Sequence, residues 1–202
     1  MAIITVAKEK ADCEKNRIYA TEEEVRILVD YLLRKSKYTV YGNLQPFHPV
    51  SQSVSDQMIF MQCCRHKAIT NRIVHLIMSF DTYGYEDKVD ILTICSIMNW
   101  INREYFQEHQ RVLCLHTDKP NHLHFHFIIN PVNLNNYQLV RCYLPALMKD
   151  MSLWLDGVYQ IALQGVSYYD VNAKPHFGKE EGAFLYQNEY CKRNGLCKQG
   201  FL

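Results

Sequence analysis

Fifteen residues, His116 to Asn130, hold four of the nine histidines in this 202-residue chain and constrain its fold more than any other stretch. His122, His124 and His126 alternate with Leu123, Phe125, Phe127 and Ile129. In a β-strand, side chains at i, i+2 and i+4 share one face, so the pattern predicts an imidazole row on one side and an apolar row on the other. Upstream, Val112 to His116 is a second apolar segment. The Thr117, Asp118, Lys119, Pro120, Asn121 stretch between them has the residue types of a turn. The two segments are expected to pair as a hairpin that brings His116 beside the histidine row.

Neutral imidazole is the commonest nitrogen ligand for divalent metal ions, and strand neighbours two apart lie roughly 6.6 to 7 Å from one another, near enough to converge on one ion. Three neutral ligands leave the ion its full charge. That suits an open site that polarises an anionic group better than a closed structural site, which usually has four ligands, often thiolates. The eight cysteines include no C-x-x-C pair; Cys63 and Cys64 are adjacent, and Cys191 and Cys197 fall in a polar stretch. Neither a zinc ribbon nor a disulfide framework is indicated, and reduced thiols in a cytosolic protein are expected.

With 48% hydrophobic and 21% charged residues, the chain has enough apolar material for one sizeable core. Residues 1–175 are expected to form one domain and residues 176–202 a polar tail. Ala2 to Ala7 is too short a run for a signal peptide, and no segment approaches the ~20 apolar residues of a membrane span, so a soluble, cytoplasmic protein without membrane insertion is expected. The net charge is only +1, so any basic footprint must be local. Candidates are Arg34, Lys35 and Lys37; Arg65, His66, Lys67 and Arg72; and Lys192, Arg193 and Lys198. Fourteen tyrosines provide ring surfaces on which bases of single strands could stack, although most should serve the core.

Hydrophobic spacing predicts a strand at Ala2 to Ala7 and an amphipathic helix at Thr21 to Lys37, opened by a Thr21/Glu24 capping box and carrying Val25, Leu28, Val29 and Leu32 inward. Tyr38 to Tyr41 reads as a short strand or turn, Ser53 to Lys67 as a helix, and Arg72 to Asp81 as a central strand. Glu86 to His109 has helical spacing and precedes the hairpin. A last helix is expected over Arg141 to Asp156 and a weaker strand at Ile161 to Tyr169. Strands interleaved with helices in this order imply an α+β fold, a mainly antiparallel sheet of about five strands with helices on one face and the other left open for a metal and a polymer.

The histidine segment, read as His116, Asp118, Asn121, then His124, Phe125, His126, an apolar run and Asn130, resembles the third motif of conjugative relaxases, the mobilisation nucleases of the HUH endonuclease superfamily. The strand ending at Ser79 and Phe80 is similar to that family's second motif. Val29, Asp30, Tyr31 and Leu32 are similar to the first, which puts a nucleophilic tyrosine on the first helix. Order and spacing agree over roughly Ala2 to Asp170. One residue more than the family pattern separates Asn121 from the histidine pair. Counting back from Asn130 selects His124 and His126, counting forward from His116 selects His122 and His124, and the apolar run downstream favours the first.

The resemblance implies a divalent metal ion, Mg²⁺ or Mn²⁺ first and Zn²⁺ or Ni²⁺ as alternatives, held by His116, His124 and His126. Tyr31 would be the nucleophile, Asp118 an orienting or proton-accepting carboxylate, and Ser79 a DNA contact. Tyr38 and Tyr41 are substitutes for the nucleophile, and His75 is set aside as an ordinary strand histidine. The implied activity is nicking and rejoining of single-stranded DNA at the transfer origin of a plasmid or integrative element, through a 5′-phosphotyrosyl intermediate. Relaxosome accessory proteins and a type IV secretion coupling protein are implied partners. A phenol of pKa ~10 is mostly protonated at neutral pH, so such chemistry needs positive charge at the phosphate. Three alternatives remain, one of them a non-catalytic nucleic-acid-binding domain whose histidines hold a structural ion. A rolling-circle initiator or transposase of the same superfamily would use a tyrosine after the histidines, such as Tyr143, Tyr159 or Tyr168, and a three-histidine zinc hydrolase of small molecules would need no tyrosine.

Overall fold

The computed structural model describes residues 2–9, 16–81, 90–119 and 122–140, with 147, 150, 151 and 154. Five strands, β1 (Ala2–Val6), β2 (Tyr38–Gly42), β3 (Val74–Asp81), β4 (His109–Lys119) and β5 (His122–Asn133), alternate with three helices, α1 (Glu22–Lys35), α2 (Val50–Cys63) and α3 (Ile91–Glu104). They form one open sheet in the order β1-β3-β5-β4-β2, and every neighbouring pair is antiparallel. The expected α+β architecture is the observed one. Residues 155–202, which include the expected late strand, Tyr159, Tyr168 and the tail, lie outside the described residues, as do Tyr143 and most of the expected last helix, of which Leu147, Asp150, Met151 and Trp154 are helical. Among the described residues no helix is long and apolar enough to cross a membrane.

The alternation in β5 sorts its side chains as expected. Phe125, Phe127 and Ile129 join Leu76, Met78 and Phe80 of β3, Leu113 and Leu115 of β4, and Ile94, Ile97, Met98 and Ile101 of α3 in one buried cluster. A second cluster lies across the sheet, where Val25, Leu28, Val29 and Leu32 of α1 and Val54, Met58 and Ile59 of α2 pack on Ile73, Val112, Cys114 and Ile128. Helices therefore cover both faces, which corrects the expectation of one open face. The reason is in the sequence of the histidine-bearing side itself. Its lower half carries Val112, Cys114 and Ile128, apolar surface that costs roughly 25 cal/mol per Å² to leave in water.

The capping box at the start of α1 forms as its residues predict. Glu24 N donates to Thr21 Oγ1 at 3.2 Å and Thr21 N to the Glu24 carboxylate at 3.0 Å. With Glu22, Glu23 and Glu24 in the first turn and Arg34 and Lys35 in the last, the side-chain charges oppose the helix dipole at both ends. The third helix stops earlier than its spacing suggests, at Glu104 rather than His109. Tyr105 is extended and Phe106 takes φ 54°, which drops the Phe106 ring into the core, edge-on to Phe127. Arg111, almost fully buried, then binds carbonyls from the end of α3 and from the segment that follows it. Its guanidinium donates to Asn102 O, Phe106 O and His109 O. Gly42 on edge strand β2 is shaped by the same group, since a Cβ there would sit 2.4 Å from Arg111 Cζ.

Candidate metal centre

Pairing of the three central strands builds the site. In the β4–β5 register His116 is directly opposite His124, and in the β3–β5 register Ser79 is opposite His124 and Ile77 opposite His126. Directly opposed residues share a face, so all of these side chains emerge on the side that carries α1 and α2. A register shift between His116 and Lys119 sets Thr117 and Asp118 of β4 against Leu123 alone on β5. The His122 side chain lies outside the described residues.

One ligand nitrogen from each of His116, His124 and His126 lies within 4.8 Å of the others. Ring centres are separated by 4.7 Å for His116 and His126, 5.4 Å for His116 and His124, and 5.1 Å for His124 and His126. His116 is fully buried, and its Nε2 lies 3.0 Å from Leu32 O of α1. A carbonyl can only accept, so Nε2 carries the proton and Nδ1 keeps its lone pair. Burial holds the His116 imidazole below the usual histidine range. His126 is pushed down to about 2 by burial first and by its neighbours His75, His116 and His124 second. Both rings are neutral, the protonation state a metal requires of its ligands.

Buried polar atoms normally find hydrogen-bond partners, yet His116 Nδ1 and His126 Nε2 are buried with none. Lone pairs left bare at the meeting point of three imidazoles fit a divalent cation. Three such ligands leave coordination positions for other oxygen donors and bring no negative charge, so a bound ion would retain its electrophilic character.

Two residues of the site make contacts that the sequence does not reveal. His75, set aside there as an ordinary strand histidine, is buried behind the cluster with Nε2 2.8 Å from His126 Nδ1 and Nδ1 2.6 Å from the Tyr19 hydroxyl. Burial lowers its protonation to about 3. These contacts join residues 51 and 56 positions apart, and the signal for one of them was its alternation with Ser79 on β3. Lys35 is the other, with its ammonium 4.8 Å from the centre of the Tyr31 ring and 4.0 Å from the Asp118 carboxylate.

The Tyr31 ring lies 6.0 Å from the His116 ring, edge to face, on the outer side of α1, and the residue is 40% exposed. Asp118 sits on the solvent side, facing Lys35. Ser79 is half-buried beside His124. Tyr38, on edge strand β2, accepts from Asn99 Nδ2 of α3 at 2.9 Å, while Tyr41 packs with the cluster under α1 and α2. Asn130, the end of the apolar run, is a structural hub. Its amide donates to Met58 O and Gln110 Oε1, and its oxygen accepts from Gln62 Nε2 and Val132 N.

The structure thus combines an open antiparallel α+β sheet, a histidine trio on its central hairpin and an exposed tyrosine on the first helix. The model of the relaxase family described as MobA/VirD2-like, nuclease domain, matches residues 31–149, more than half of the chain, and the chain belongs to that family. No curated protein and no solved structure matches it. Membership places the protein among the relaxase nucleases, which nick DNA in mobilisation and bind single-stranded DNA; the family is metal-dependent, and the histidine cluster could bind an ion.

Proposed function

We propose that the chain nicks and rejoins one strand at the transfer origin of a mobile element through a covalent 5′-phosphotyrosyl intermediate, with His116, His124 and His126 holding a divalent cation and Tyr31 as nucleophile. The observation that carries this reading is the placement of the Tyr31 ring against His116, whose free nitrogen faces the other two imidazoles. A cation held by these three imidazoles would supply positive charge at the scissile phosphate and offset the negative charge that develops in the transition state. The Tyr31 oxygen bonds to phosphorus in line with the departing 3′-oxygen, which leaves as a hydroxyl after taking up a proton. Asp118 is the candidate to accept the phenolic proton, and Lys35 adds positive charge beside the ring. Because the phosphorus remains a diester, the freed 3′-hydroxyl can attack it again and restore the strand.

Ser79, half-buried beside His124, would contact the sugar–phosphate backbone through its hydroxyl. Mg²⁺ or Mn²⁺ is the proposed ion. The proposed setting is the cytoplasm, with relaxosome proteins and a type IV coupling protein as partners. The test is incubation with single-stranded oligonucleotides spanning the origin of the element that encodes the chain. A DNA adduct that survives denaturant, lost in Tyr31→Phe while DNA binding is kept, is the expected result. Persistence of the adduct in Tyr31→Phe moves the role to another tyrosine, and hydrolysis of small esters without any adduct would favour the three-histidine hydrolase.

A further inference from the structure

Behind the histidine trio, three side chains from three separate segments form one buried line: Tyr19 from the loop before α1, His75 from β3 and His126 from β5. His75 stands diagonally across the β3–β5 pair from His126, since its direct partner is Ile128. Tyr19 and His75 are each no more than 6% exposed. Tyr19 is itself held in place, its backbone N–H donating to Asn71 Oδ1 at 2.9 Å. A chain of two imidazoles and a phenol can run in two directions. In one, Tyr19 donates to His75, His75 donates to His126 Nδ1, and His126 carries its proton on Nε2. In the other, His126 Nδ1–H donates to His75 Nε2 and His75 Nδ1–H donates to the Tyr19 oxygen.

Only the second direction leaves His126 Nε2 with a lone pair. That atom is the one found buried and without a hydrogen-bond partner. We propose that His75 and Tyr19 are positioning residues, whose hydrogen bonds hold His126 in the tautomer that offers Nε2 to a divalent cation. The inference rests on the histidine trio being a cation site. Imidazole ligands are commonly oriented by an acceptor on their other nitrogen, and loss of that acceptor weakens metal binding by about 10- to 100-fold. Here the acceptor is neutral, so the relay orients the ligand without adding a negative charge that would offset the ion's pull on a phosphate. His116 is oriented by a neutral acceptor too, the Leu32 carbonyl.

Tyr19→Phe is the sharpest perturbation, because it deletes one oxygen two hydrogen bonds removed from His126 and keeps the ring. It strips the His75 Nδ1–H of its acceptor only in the direction that supports loading. Mn²⁺ titration of the full chain is expected to show about 10-fold weaker binding in Tyr19→Phe and about 10- to 100-fold in His75→Leu. His75→Gln, whose amide oxygen can still accept from His126 Nδ1–H, should recover part of the loss. Thermal melts of the metal-free variants separate a folding defect from an affinity defect. A second readout needs no variant: ¹⁵N imidazole shifts of the Zn²⁺-loaded wild type should place a proton on Nδ1 of both His126 and His75. A proton on His126 Nε2 in the loaded chain, or undiminished Mn²⁺ affinity in both Tyr19→Phe and His75→Leu, overturns the relay alone. Failure of the wild type to bind either ion overturns the cation site and the relay with it.

Discussion

Acidification of the metal-free protein should remove stability well before carboxylates titrate, and the amount follows from the two most deeply shifted rings. In the folded chain burial holds His75 protonation down to about 3 and His126 to about 2, against 6.5 for an ordinary histidine. The unfolded chain therefore takes up protons that the folded chain refuses. The stability contributed by these rings is fully present above pH 6.5 and is lost as pH falls toward 3. Each ring loses about 2 kcal/mol between pH 7.5 and 5.0, and the two together about 4 kcal/mol, a large share of the 5–15 kcal/mol typical of a domain. Burial shifts His109 and His116 in the same direction, and they add to the slope. Urea unfolding with chelator present, at half-unit steps of pH, measures the loss. His75→Phe should make the dependence shallower by about one proton. A stability that stays flat from pH 7.5 to 5.0 would refute the claim that these rings are buried in neutral form.

Asn130→Leu leaves the Met58 carbonyl, Gln110, Gln62 and the Val132 N–H without their shared partner, and is expected to cost about 2–4 kcal/mol in urea unfolding. Gly42→Ala drives a methyl into a guanidinium already committed to four carbonyls, and should cost about 1–3 kcal/mol with DNA binding by the folded fraction unchanged. His126→Ala should abolish tight Mn²⁺ binding in a calorimetric titration while His122→Ala leaves it near wild type; the reverse pattern would exchange their roles.

Much of the site was legible in the primary structure because β-strand geometry is so regular. Once His124 and His126 alternate with Phe125 and Phe127, one pleat decides which side each takes, and a hairpin decides that His116 joins them. The capping residues Thr21 and Glu24 marked the start of α1 for an equally local reason. What escaped was long-range. His75 resembles any strand histidine until β3 pairs with β5, and Tyr19 resembles any loop tyrosine until the segment before α1 folds over β3. The early stop of α3 came from a tertiary contact, the Phe106 ring entering the core, which helical periodicity cannot register. Placement of α1 and α2 on the histidine side was implicit in Val112, Cys114 and Ile128, which share that side's alternation.

The bond from His116 to the Leu32 carbonyl ties an imidazole of the proposed cage to the backbone of the residue next to Tyr31. Occupancy of the cage and steadiness of the helix that bears the phenol are thereby parts of one equilibrium. By linkage, whatever free energy an ion gains from a settled helix, the helix gains from the ion. Loading the cage should therefore slow amide hydrogen exchange in the last two turns of that helix, so that filling the site and aiming the proposed nucleophile become a single event.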